Sequence, residues 1–298
     1  MKYIDKIIFG DNQFFGINHM SAEKAQQLSE KFYDIENIFS VYKIAYECGL
    51  RKFMLNTNSR AEDICEYFKT NKNIFPDIEW YPSIPYPHKY ANMVSEKGLL
   101  QTINEVIYKE NSFRGIVKFI SKGGSALISK DIIELMKILI DIELKMFSGL
   151  NTNTVFLLNI ITDLLLGFEN KEIFISYCNY IRNNYSAKPG FITMNLPRLI
   201  EFLKRCNIDD VVICSSINKI GHFMSPNINE YETVIKNRGE HNYKLMAMSI
   251  FASGAIPPRK AISYVCNQNI DSIVFGSSNK DHIRDTINWI NKDMKNIR

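Results

Sequence analysis

The strongest constraint on this chain is an alternation. Eight short apolar runs rich in β-branched and aromatic residues recur along it: Lys6–Phe9, Lys52–Leu55, Ile78–Tyr81, Val155–Asn159, Gly190–Met194, Asp210–Cys214, Lys244–Ser249 and Ser272–Phe275. Most gaps between them hold one helical pattern. Over Lys24–Cys48, apolar residues fall at Leu28, Phe32, Ile35, Ile38, Val41, Ile44 and Ala45, the spacing of one helix face. Ala61–Lys69, Leu196–Cys206, Asn227–Lys236, Pro258–Cys266 and Lys280–Ile290 behave likewise. Ser21 suits an N-cap for the first helix, and Pro257–Pro258 the first turn of the seventh. Near-continuous apolar strands separated by helices predict a parallel sheet covered by helices. Eight such units predict a single α/β domain over 1–298, a closed (β/α)8 TIM barrel.

One gap is abnormal. Between the third and fourth runs, residues 84–154 hold two helical patterns, Asn92–Lys109 and Lys130–Phe147, with Lys122-Gly-Gly-Ser between them. Insertions after a barrel strand sit over the face that carries active sites. The segment therefore reads either as a helical lid carrying Lys118 and Lys122, or as an external helix that only packs.

Composition narrows the function. The 36 basic and 32 acidic residues are spread throughout, with no basic stripe, so no nucleic-acid partner is expected. The first ten residues lack a signal peptide's apolar core, and the longest apolar run, Val155–Ile161, is too short to span a bilayer. Six cysteines without a CxxC pair predict reduced, mostly buried thiols. The expectation is a cytoplasmic protein with a small-molecule substrate and no membrane partner; its oligomeric state is left open.

Residues at strand C-termini line the mouth of such a barrel. Here they include Asn12, Asn56, Asn159, Asn195, Ser216, Asn218 and Ser249, hydroxyls and amides suited to a sugar-like or carbonyl ligand or, equally, to holding loops. Four residues are candidates for catalysis. Asp11 and His19, in the loop after the first strand, would make an acid–base pair. His88 stands in a loop stiffened by Pro82, Pro85 and Pro87. Lys219, past the sixth strand, would form a Schiff base if desolvated, or anchor an anion. The turn Gly276-Ser277-Ser278, opening the last helix with Lys280 and Arg284 close by, reads as an anion site. No metal is expected, because Asp11 and His19 alone do not make a ligand set.

Several segments resemble the aldo-keto reductase superfamily. Ala247–Gly254 is similar to that family's seventh strand, Ala261–Val265 to the helix that follows, and Gly276–Thr286 to its last-strand cofactor turn. Val212–Asn218 and Gly190–Asn195 fall where its sixth and fifth strands would. The resemblance implies a TIM barrel, NADP or NAD at the last turn, and reduction of a carbonyl. It also implies a catalytic aspartate, tyrosine, lysine and histidine, which would fall on Asn56, Ala61, Pro82–Ser83 and Asn159, all changed. The residues expected to stack on the nicotinamide, to bind it from the sixth strand and to contact the adenine become Met248, Cys214 and Thr286. Three readings stay open: a nicotinamide-linked reductase with a rebuilt proton donor, a proton-transfer enzyme of aldolase, isomerase or dehydratase type that holds a substrate phosphate at the turn, and a non-catalytic ligand-binding barrel.

Overall fold

The computed structural model describes residues 6–15, 22–86, 129–239 and 242–294. Eight strands, β1 (Ile7–Phe9), β2 (Lys52–Asn56), β3 (Glu79–Ile84), β4 (Thr154–Leu157), β5 (Lys188–Thr193), β6 (Val211–Ser216), β7 (Tyr243–Met248) and β8 (Ser272–Phe275), pair in parallel and in chain order. The barrel closes where Ile7, Ile8 and Phe9 pair with Ile273, Val274 and Phe275. Helices α1 (Ala22–Lys31), α2 (Ile35–Glu47), α3 (Ala61–Thr70), α4 (Ser129–Leu144), α5 (Asn159–Phe168), α6 (Lys171–Tyr185), α7 (Leu196–Cys206), α8 (Ile228–Lys236), α9 (Pro258–Cys266) and α10 (Lys280–Met294) lie in the connections.

The strands are apolar on both faces because both faces are covered. Ile8, Met54, Tyr81, Phe156, Ile192, Val212, Cys214, Met246 and Val274 meet inside the barrel. Their alternating neighbours, among them Phe9, Phe53, Trp80, Val155, Phe191, Ile213, Leu245 and Ile273, pack outward in the larger cluster with the helices. At the strand-start end the interior holds a charge pair, Lys52 to Glu79 at 2.6 Å, with the Lys52 ammonium 5.9 Å from the centre of the Tyr81 ring. Tyr177 of α6 fixes two strands at once, donating to the Val155 and Gly190 carbonyls at 2.6 and 3.2 Å.

Several expectations need correction. The pattern over Lys24–Cys48 is two helices, because Asp34 accepts from the Glu36 amide at 3.0 Å and starts α2 afresh. β3 runs past Tyr81 to Ile84, where Ser83 and Ile84 pair with Phe156 and Leu157. β4 stops at Leu157, so Asn159 opens a helix rather than ending a strand. In the segment 84–154, read either as a lid or as an external helix, the described part is α4, which packs on α6, on β3 and on the 3-10 turn Lys145–Phe147. Asn92–Lys109, Lys118 and Lys122 lie outside the described residues, as does Ser21.

Gly190 is required by packing. A Cβ there would stand 2.5 Å from the ring of Phe156, its register partner on the neighbouring β4. Gly190→Ala is expected to cost about 1–3 kcal/mol by overpacking, read as a lowered urea midpoint with an unchanged slope. An unchanged midpoint would show that the ring yields freely.

Candidate active site at the strand ends

The mouth is built around a buried carboxylate. Asp11 lies two residues past β1 and is only 2% exposed. Its Oδ2 accepts the backbone N–H of Asn56, and its Oδ1 accepts from Asn56 Nδ2, both at 2.7 Å. Burial pushes the Asp11 carboxyl up to about 6, against these hydrogen bonds, which favour the charged form. The Tyr86 side chain, just past β3, packs on the interior cluster. Burial first, then the Asp11 charge, holds its phenol above the ordinary value, so it stays protonated near neutral pH.

Two further carboxylates, one fully buried and one half-buried, prop the rim from behind. Glu143 of α4 is fully buried, accepts from the Thr57 hydroxyl, and takes the Tyr86 backbone N–H at 3.3 Å. Asp163 of α5 accepts from the Thr193 hydroxyl and takes the Met194 N–H at 2.9 Å; burial pushes its carboxyl up. Helix periodicity does not reveal Glu143, since acids on helices are usually solvated. Asp163 had a signal, being the one charged residue in Asn159–Phe168.

The residues picked from sequence divide into groups. Asp11 and Asn56 are joined directly. Ser216 donates to Ser249 at 3.1 Å on the opposite side of the mouth, and Ser249 holds a left-handed backbone, φ 54°. Asn195 caps α7 by accepting from the Arg198 amide, and Asn218 bonds both backbone groups of His222, so both amides are occupied in local structure. Asn12 is exposed at the start of the 3-10 turn Asn12–Phe15, and Asn159 is half-buried as the first residue of α5. Lys219 is exposed, so the desolvation that would activate it as an amine nucleophile is missing. His19 and His88 lie outside the described residues. Beside the polar groups, Leu158, Tyr86 and Met248 join the interior cluster, which makes the mouth more apolar than its amides suggest.

The turn after β8 opens α10 as expected. Asn279 caps the helix by accepting from the His282 amide at 3.0 Å, and its own N–H donates to the Ser277 hydroxyl. Ser277 and Ser278 are half-buried, and Gly276 and Lys280 are exposed. Arg284 is turned to Asp281 at 2.8 Å. A side chain at Gly276 would run into the carboxamide of Gln13, whose Nε2 holds the Gly10 carbonyl at 2.8 Å.

Among solved structures the chain is similar to a Pseudomonas aeruginosa protein assigned to the aldo-keto reductases, at 12% identity over 97% of this chain and 90% of that one, TM-score 0.61. It is also similar to a protein assigned as a 2,5-diketo-D-gluconic acid reductase B (10%, 98% and 86%, TM-score 0.56) and to an aldo-keto reductase of the silkworm Bombyx mori (10%, 97% and 83%, TM-score 0.54). No family model and no curated protein matches the sequence. At these identities the likeness shows the fold alone, a closed (β/α)8 barrel of the kind these aldo-keto reductase structures have. The positions on which the resemblance would place a catalytic tetrad stand at the end of β2 (Asn56), at the opening of α3 (buried Ala61), within β3 (Pro82–Ser83) and at the opening of α5 (Asn159).

Asn56→Ala removes one of the two bonds Asn56 makes to the Asp11 carboxylate and keeps the backbone one. It is expected to destabilise the fold by about 1–3 kcal/mol at pH 8, where Asp11 is charged, and by less at pH 5. Denaturant titrations at the two pH values measure this, and an equal loss at both would deny the charge-assisted bond.

Proposed function

We propose that this barrel is a cytoplasmic enzyme acting on a small polar carbonyl or sugar-like compound at its strand-end mouth. NAD(P)H sits at the turn after β8, and Asp11 is the acid–base group. Asp11 carries the reading: it is a mouth carboxyl raised by burial to about 6, so both of its protonation states are populated near neutral pH. The aldo-keto reductase fold supports a carbonyl substrate by analogy.

The turn fits an anionic group. The half-buried Ser277 and Ser278, the N-terminus of α10 and the exposed Lys280 adjoin it, and Arg284 would join them on leaving Asp281 and Asp285. The bound nicotinamide would supply a hydride to the carbonyl carbon. Protonated Asp11 then gives its proton to the carbonyl oxygen, and the two Asn56 bonds stabilise the carboxylate left behind. Tyr86 and Leu158, just past β3 and β4, would keep water from that side of the mouth, with Met248 of β7 facing them across it.

A second reading rests on the changed tetrad. With alanine at position 61 and asparagine at 56, no inherited proton donor remains there, and Asp11 would serve as base in proton transfer while the turn holds a substrate phosphate.

Two measurements separate these readings. In calorimetry and nucleotide fluorescence, NADPH or NADH is expected to saturate in the micromolar range, weakened at least tenfold by Lys280→Ala combined with Arg284→Ala; no binding at millimolar nucleotide would remove the reductase. The rate has a sign as well. A protonated donor makes kcat/KM for carbonyl reduction fall as pH rises through about 6, whereas a base makes activity rise through the same pH.

A further inference from the structure

We propose that Ser83 binds the substrate's reacting oxygen, its hydroxyl donating to a carbonyl oxygen seated on the β2–β3 side of the mouth. This rests on the reading of the mouth as the active site. Ser83 is fully buried, yet its Oγ has no hydrogen-bond partner. Two residues beyond the inward-facing Tyr81, it faces the barrel interior, and it stands in register between Asn56 on β2 and Phe156 on β4. Three other hydroxyls near the strand ends are occupied: Ser215 donates to the Thr193 carbonyl at 2.8 Å, Ser216 to Ser249, and Thr57 to the Glu143 carboxylate. The buried Tyr42 hydroxyl lacks a partner too, but its ring belongs to the outer aromatic core between β1 and the helices. Ser272 also lacks a partner, but it lies at the start of β8, at the far end of the barrel.

A buried hydroxyl without a partner costs stability, and native structures rarely keep one unless water or ligand satisfies it. The neighbours of Ser83 choose between these. On one side Asn56 is committed to Asp11. On the other stands the Phe156 ring, which crosses to Gly190 and offers no polar atom. Neighbouring strands are about 4.8 Å apart, so an oxygen held by Ser83 lies beside the Asn56–Asp11 pair, on the side from which a proton would come.

The test uses the full chain and D-glyceraldehyde as probe. In crystals soaked with it, a probe oxygen is expected within hydrogen-bond distance of Ser83 Oγ. In calorimetry, Ser83→Ala is expected to weaken glyceraldehyde binding at least tenfold, with the melting temperature unchanged or raised and the NADPH dissociation constant unchanged. The proposal is overturned if an ordered water bridges Ser83 to protein atoms and persists in the soaked crystal. It is equally overturned if the probe does not bind at the mouth, or if Ser83→Ala lowers the melting temperature and leaves probe affinity intact. Failure to turn over with NADPH would sink the nucleotide reading alone, because the soaked crystal and the glyceraldehyde affinity do not depend on it.

Discussion

Backbone N–H groups at the ends of parallel strands have no next strand residue to bond, and a barrel mouth gathers them into one place. In this protein, carboxylates that are buried (Asp11, Glu143) or half-buried (Asp163) take several of them. Asp11 holds the Asn56 amide, Glu143 the Tyr86 amide and Asp163 the Met194 amide, at the ends of β2, β3 and β5. Each also takes a side-chain donor: the Asn56 carboxamide, the Thr57 hydroxyl and the Thr193 hydroxyl, respectively. A buried charge is tolerated only when it is hydrogen-bonded in this way. The rim's shape, and so the direction in which its side chains point, rests on these three groups.

They differ in what they face. Glu143 and Asp163 come from ring helices and bond behind the wall, whereas Asp11 follows β1 directly. The Asp11 charge reaches both Tyr42 in the outer aromatic core and Tyr86 at the mouth. Burial and hydrogen bonding oppose each other there, and burial wins. A group balanced in this way changes charge within the range where enzymes work, which suits proton transfer better than permanent charge stabilisation does.

The barrel was legible in the sequence because its cause is periodic: strands buried on both faces and helices buried on one leave different spacings. What escaped was set by single residues. Asp34 split one helical pattern in two. Pro82 reads as part of a stiff loop after the third strand, yet β3 runs through it and pairs it with Leu55. At the site, amides were the difficulty. Asn residues cap helices and bind ligands with the same atoms, and only the structure shows that Asn195 and Asn218 are engaged locally while Asn56 serves Asp11. Asp11 was readable as a mouth carboxylate from its place after the first strand. Its partner was not, because residues 11 and 56 meet only when β1 and β2 pair.

The most direct test is a site-resolved carbon-13 titration of the Asp11 carboxyl in the intact protein, with the Asn56 amide shifts followed in the same samples. A midpoint near 6, tracked by both Asn56 signals, is the predicted result. A midpoint at or below 3.8, the ordinary value, would mean that the carboxylate is solvated or more strongly held than burial allows, and would remove Asp11 as the acid–base group.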